Sequence, residues 1–503
     1  MEEEKQTIHV LMVAFSSQGH INPMLRLGKQ LQNKGLHVTL AVTEIFLHRI
    51  ATNHHSTTAT TTAAAADNQI PSISGIDIAS FSDGLSLEYD RKSNLDTYMK
   101  TLAEFGPVNL TSLVTSLGCD ITRPKKFSCI INNPFVPWVA DVASRLGIPC
   151  GMLWIQPCTL FAIYHGFYNS PEDFPTKENP EKSVKLPGLP LLQTSDLPSF
   201  VLPFNVFGSL ANVFFESIKN IHKLRWVMAN SFYELEKEVI DSMSKFVVIK
   251  GVGPLVPATL LGQDDHEGRD FVGIDMWKAD DRCIEWLNQK DPNSVIYVSF
   301  GSLVVLSKTQ MESIATALRE SKRPFLWVVK PSEFQVTEGA GELPKGFLDE
   351  TKEQGLVVPW CAQIMVLSHK SIACFVTHCG WNSMLETISA GVPVIAYPMW
   401  TDQPTNAKLM ADVFGVGLRL RPNNDGFFES ETIKEYIEEI MDGPRSVEFR
   451  AKATEWKSMA RDAVACGGSS DRNIQEFIDD IVKLSSSHTI KCNVDSSTKC
   501  QSS

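Results

Sequence analysis

Apolar positions along the chain change their spacing repeatedly, and the changes mark elements. Residues 8–15 (IHVLMVAF) are a largely apolar, β-branched run, the pattern of a strand buried on both faces. Residues 21–33 then space their apolar side chains at helical intervals up to Gly35, and residues 37–41 return to a strand, giving a βαβ opening. The spacing predicts further strands at 127–131 and 152–155 with a helix over 139–145 between them. Residues 157–207 are rich in Pro, Phe and Leu without a regular period and read as an irregular pocket wall. Residues 53–67 (NHHSTTATTTAAAAD) have no packing pattern and read as a mobile surface loop. Gly and Pro punctuate 248–257, and the acidic stretch 263–270 follows, so the domain linker is expected there. From 294 the alternation restarts, with strands at 295–300, 325–329 and 356–358 and a helix over 309–321. Helices are predicted again at 431–441, 447–465 and 472–484. Two such series predict an α/β protein of two doubly wound sheets facing each other across a cleft, residues 1–250 and 251–484. The polar tail 485–503 is expected to be disordered.

Composition narrows what such a fold acts on. A formal net charge of −12 over 503 residues argues against a nucleic-acid partner. No apolar run approaches the length of a membrane span. The start, MEEEKQTIHVLMVAF, is acidic and leads into the first strand, unlike a secretory signal. Eleven cysteines, odd in number and without a C-x-x-C pair, suggest neither a disulfide framework nor a zinc site. The expectation is a cytoplasmic protein.

Chemistry-bearing residues concentrate in residues 360–403, WCAQIMVLSHKSIACFVTHCGWNSMLETISAGVPVIAYPMWTDQ. An apolar strand, 373–377, runs into His378-Cys379-Gly380-Trp381-Asn382-Ser383 and then a helix to Ala390. A helix start offers unpaired N–H groups and partial positive charge, a seat for a diphosphate. Asn382 and Ser383 are suited to donate to phosphate there, and equally suited simply to cap the helix. His378 reads as a phosphate donor or as a structural histidine.

Length, order and residues of this segment resemble the nucleotide-sugar signature (PSPG box) of plant family-1 UDP-dependent glycosyltransferases. The resemblance implies the GT-B fold, two facing Rossmann-like domains, with a last helix near 471–484 crossing back onto the first domain. It implies that Trp360 stacks on uracil, that Cys361 offers backbone to the base, and that Gln363 and Glu386 hold the ribose. It places His378, Asn382, Ser383 and the turn 299–302, with Ser302, on the diphosphate. It puts Asp402 and Gln403 on the sugar hydroxyls, with Trp381 carrying backbone nearby, and Gln403 is the form associated with UDP-glucose. UDP-glucose is then a co-substrate, and no cofactor is expected. The chain contains no D-x-D pair, which speaks against a metal-dependent glycosyltransferase.

His20, at the end of the first strand in GHINP, matches the family's base for the acceptor hydroxyl, a role suited to an imidazole with a pKa of about 6.5. The family's usual Asp partner is replaced here by Asn133 in INNPFVPW. An amide orients an imidazole but does not offset its positive charge, which weakens the base toward phenols. A carboxylic acid, ionised already at neutral pH, needs only positioning. INNPFVPW, SFYELEKEVID at 231–241 and GGSSDRNIQEFIDD at 467–480 resemble the subgroup that makes glucose esters of hydroxycinnamate, limonoid or auxin-type acids. The expected reaction is inverting transfer of glucose from UDP-glucose to a small plant acid, giving a 1-O-β-glucose ester. Transfer to phenol, flavonoid or terpenoid hydroxyls is the alternative within the family, and a non-catalytic UDP-sugar-binding protein is the alternative outside it. Gln18, Phe135 and Gln156 are candidate acceptor contacts, and a monomer is expected.

Overall fold

In the computed structural model, residues 7–52, 72–91, 93–120, 124–206, 208–262, 273–274, 278–302, 304–330 and 340–498 are described, with side chains from 51–52 and beyond 486 excepted. The stretch 53–67 and the acidic stretch 263–270 lie outside them.

The first sheet is built from β1 (His9–Val13), β2 (His37–Thr43), β3 (Ser72–Ile73), β4 (Ile76–Phe81), β5 (Cys129–Asn132), β6 (Cys150–Trp154), β7 (Trp226–Ala229) and β8 (Ile249–Gly251). Its order is β3-β4-β2-β1-β5-β6-β7-β8, parallel throughout except for the small β3–β4 pair. The second sheet contains β9 (Val295–Ser299), β10 (Phe325–Val328), β11 (Gly355–Val358), β12 (Ile372–Thr377), β13 (Val394–Ala396) and β14 (Gly417–Arg419). It is all parallel in the order β11-β10-β9-β12-β13-β14. Strands β5, β6, β9, β10 and β12 are buried at every position, because helices cover both faces of a parallel sheet; the unbroken apolar runs in the sequence reflect this. Strand order reverses between β1 and β5 in one sheet and between β9 and β12 in the other. Ligands of open α/β sheets bind outside the carboxyl ends of strands at such switch points.

Three differences from the sequence reading have physical causes. Residues 249–251 are the edge strand β8 and not linker, so the chain leaves the first sheet only after Gly251. The region 157–207 contains a full helix, Cys158–Asn169, whose first two turns, CTLFAIY, are buried at every position and so show no amphipathic period. That helix begins on a distant carboxylate: Glu236 accepts from the N–H groups of Cys158 and Thr159, both at 2.8 Å, in place of a local cap. The expected tail from 485 is also corrected in part, since the last helix runs Ser469–Thr498; no Gly or Pro interrupts that stretch. Ile474, Phe477, Ile478 and Ile481 of this helix are buried against the first sheet's core, with Val10 and Met228.

Candidate active site

The carboxyl ends of β1, β5 and β6 carry the first group of candidate residues. The helix after β1 begins at Gln18, earlier than its apolar period suggests, so Gln18 and His20 lie in its first turn. His20 Nδ1 lies 3.0 Å from Asn133 Oδ1, just past β5, and the N–H of Phe135 donates to the same oxygen at 3.1 Å. A backbone N–H only donates, so that atom is the amide oxygen and His20 carries its proton on Nδ1. The lone pair is then on Nε2, the arrangement a general base needs. Burial pushes the His20 pKa down to about 4, and the Asn133 bond opposes this only weakly. Phe15 and Phe135 hold the ring edge-on, with centroids 5.1 and 4.2 Å away. Gln156 follows β6 and has a buried Oε1 without a hydrogen-bond partner.

The carboxyl ends of β9 and β12 carry the second group. His378 follows β12, and burial lowers its pKa to about 4 against a bond to the Ser299 backbone. Two glycines make room for this ring: a Cβ on Gly301 would come within 2.6 Å of it, and one on Gly380 within 2.7 Å. Cys379 takes φ +66, and Gly380 becomes the N-cap of the helix Trp381–Ala390, with no side-chain cap. Asn382 and Ser383 therefore do not cap it. Asn382 Nδ2 donates to Gly19 O at 2.8 Å across to the first sheet, and Ser383 Oγ accepts from Gln363 Nε2 at 3.0 Å. Ser302, after β9, is exposed.

Gln363, Ser383 and Glu386 form one network. Gln363 Nε2 also donates to Glu386 Oε2 at 2.8 Å, and Tyr297 OH donates to Gln363 Oε1 at 3.1 Å. Tyr297 OH is 3.3 Å from Cys361 Sγ, a buried thiol. Arg26 Nη1 lies 3.8 Å from Glu386 from the other domain. The half-buried Trp360 lies between β11 and this network, with Lys330 Nζ 5.1 Å from its ring centroid. Trp381 does not face a sugar with its side chain; its indole N–H donates to Asn230 O at 2.8 Å and anchors the domains together.

Asp402 and Gln403 follow β13 at the start of the helix Gln403–Lys408, Asp402 as its N-cap residue. Asp402 accepts from Thr401 Oγ1 at 2.9 Å and Asn406 Nδ2 at 2.7 Å, while burial raises its pKa. Gln403 Oε1 accepts from the N–H groups of Met399 (2.9 Å) and Trp400 (3.2 Å), which directs its –NH2 away from them. Sequence reasoning missed Tyr297 and Arg26. Arg26 had a signal: a charged residue on the buried face of the first helix, itself only 7% exposed. Tyr297 had none, being one apolar-looking position in a strand buried at every residue.

Comparison with known proteins places the chain in a family. The family described as "UDP-glucoronosyl and UDP-glucosyl transferase" matches residues 268–447. UDP-glycosyltransferase 84B1 of Arabidopsis thaliana is 42% identical over 482 residues, covering 95% of this chain and 98% of that protein. Gallate 1-beta-glucosyltransferase 84A24 of Punica granatum is 40% identical over 483 residues, covering 95% and 89%. The crystal structure of Os79 from O. sativa in complex with UDP superposes with a TM-score of 0.80 at 30% identity, covering 94% of this chain and all of that one. The chain belongs to the UDP-glycosyltransferase family, and its two facing parallel-sheet domains are the GT-B fold. It is a UDP-glycosyltransferase, an enzyme that transfers a glycosyl group from a UDP-sugar.

Proposed function

We propose that this enzyme transfers glucose from UDP-glucose to the carboxylate of a small plant acid, forming a 1-O-β-glucose ester. The observation that carries the reading is the His20–Asn133 pair. An imidazole held near pKa 4, whose side-chain polar partner among the described residues is a neutral amide, is poorly placed to keep a proton taken from a phenol. An acceptor carboxylate arrives without that proton. One of its oxygens attacks the anomeric carbon, the bond from that carbon to the UDP oxygen breaks, and UDP leaves with the electron pair, inverting the α-sugar to a β-ester. The Punica relative's name, a gallate 1-beta-glucosyltransferase, supports an acid acceptor.

In this reading uracil lies on Trp360 beside the Cys361 backbone, and the ribose hydroxyls meet Gln363 and Glu386. The diphosphate meets His378, Asn382, Ser383 and the turn at Ser302, and the sugar meets Asp402 and Gln403. Gln18, Phe135 and Gln156 line the acceptor side. No metal or further cofactor is called on, since histidine, amide and hydroxyl donors and a helix start meet the diphosphate. Both halves of the cleft come from one chain, which suits a monomer, and the nine cysteines whose side chains are described are unpaired, which suits a reducing cytosol.

The test is an acceptor panel with UDP-glucose that pairs each aromatic acid with a phenol lacking the carboxyl group. The expected product comes from the acids and is cleaved by mild alkali. Alkali-stable products from acids that also carry a phenol would move the reading to hydroxyl transfer, which His20, neutral and with Nε2 free of Asn133, also permits.

A further inference from the structure

The turn that leads into Asp402 and Gln403 is held from the other domain as well as by its own bonds. Thr401 has φ +55, the left-handed region, where a β-branched residue is strained. Both of its backbone groups are bound by one residue of the other domain: Thr401 N–H donates to Ser199 Oγ at 3.0 Å, and Ser199 N–H donates to Thr401 O at 2.9 Å. On the far side of Gln403, Thr405 Oγ1 donates to Asp196 O at 2.7 Å. The Asp196 carboxylate, 1% exposed, takes Arg419 Nη1 at 2.5 Å at the end of β14 and Lys408 Nζ at 3.1 Å. Between these polar residues, Leu197, Phe200 and Val201 pack into the first domain's core with Trp154 and Phe214. The segment therefore alternates, apolar side chains into one domain and polar groups onto the other.

We propose that residues Asp196 and Ser199 of the first domain are positioning residues for the sugar end of the donor site, holding Thr401 left-handed and thereby aiming Asp402 and Gln403. This rests on the reading that Asp402 and Gln403 grip the sugar. Donor-sugar choice is then set by an element of the acceptor domain as well as by the signature segment. The nucleotide end, built on Trp360, Gln363 and Glu386, has no part in this contact.

The test compares KM for UDP-glucose, Ki for UDP, and kcat/KM for UDP-glucose against UDP-galactose. Ser199→Ala is expected to lower kcat/KM for UDP-glucose about five- to tenfold, the effect of one lost hydrogen bond, while Ki for UDP stays within about twofold. Discrimination against UDP-galactose falls in parallel. Adding Thr401→Gly, which takes a positive φ without strain, restores part of the loss, and Ser199→Thr, which keeps the hydroxyl, retains it. If Ser199→Ala weakens UDP as much as UDP-glucose, or leaves sugar choice unchanged, the proposal is overturned. Asp402→Asn separates the two claims. Should it too leave sugar choice and the KM/Ki ratio unchanged, the sugar-gripping reading itself fails; should it alone shift them, only the positioning role fails.

Discussion

The side-chain amide of Asn382 donates to the carbonyl of Gly19 at 2.8 Å, one residue before His20 and across the cleft between the domains. Pro23 explains why that carbonyl is free to accept. In a helix the N–H four residues on would claim it, and proline has none. The turn proposed to hold the diphosphate is thereby tied to the helix turn that carries the proposed base.

Replacing Asn382 with Ala is expected to lower kcat/KM about fivefold or more, from the lost cross-domain bond alone. Pro23→Ala gives the sharper result, because it supplies the missing N–H and offers Gly19 O a partner within its own helix. Thermal stability should hold or rise while kcat falls. Steady-state kinetics beside a thermal melt would check this, and an unchanged kcat would remove the coupling.

His20 gives the pH dependence. Its folded pKa lies near 4, below the ordinary 6.5, so the fold favours the neutral ring. The sign follows: in acid the unfolded imidazole takes up a proton that the folded one refuses. Stability is therefore lost as pH falls from about 6.5 toward 4. With a phenol acceptor, the acid limb of kcat/KM belongs near pH 4 as well. A limb at pH 6 or above would show that His20 is not held neutral by its surroundings.

Asn133→Asp places a carboxylate beside the same ring nitrogen. It should raise the His20 pKa, shift the acid limb toward neutral pH, and speed transfer to phenols more than transfer to carboxylates. The measurement is the ratio of kcat/KM for a matched phenol and acid, before and after the change. An equal response from both acceptors would mean that the amide has no bearing on acceptor class.

Most of the two-sheet architecture was legible because parallel strands buried on both faces leave unbroken apolar runs, as at Val295–Ser299 and Ile372–Thr377. What stayed hidden depends on partners far along the chain. The helix Cys158–Asn169 has no amphipathic period and is capped by Glu236, so neither its pattern nor its start was readable. Candidate residues inside the signature segment were legible by their order, but their hydrogen bonds were not. Asn382 and Ser383 have the composition of a helix cap and instead meet Gly19 and Gln363. Ser199 is one serine in a Pro- and Phe-rich stretch, and nothing in the chain announces that it holds Thr401.

Glu386 offers a test at the nucleotide end. Its carboxylate, 7% exposed, accepts from Gln363 and faces Arg26. Glu386→Ala removes the acceptor of Gln363 and the counter-charge of Arg26, and should weaken UDP itself about tenfold or more, as loss of a hydrogen bond to a charged group does. Calorimetric titration with UDP reads this directly. Against Ser199→Ala, which should spare UDP, it would divide the donor site into two independently adjustable ends.

The last helix joins the domains mechanically. Phe477 is 4% exposed and meets Trp226 edge-on at 5.0 Å, and beside it Asp480 accepts from Arg225 and from the Trp226 indole N–H, both at 2.9 Å. The same helix also packs against Ser446–Val464, on the second domain's side. Phe477→Ala should cost about 3–5 kcal/mol where it docks, the usual loss for a buried phenylalanine. The exposed Arg225–Asp480 ion pair adds little to this, since such pairs contribute about 1 kcal/mol or less. If the helix couples the two domains, the wild-type protein unfolds in urea through one transition and the variant through two, because only the first domain loses its cover. A single transition that moves to lower urea without splitting would show that the cleft contacts alone, Asn382 to Gly19 and Ser199 to Thr401 among them, suffice to unfold the domains together.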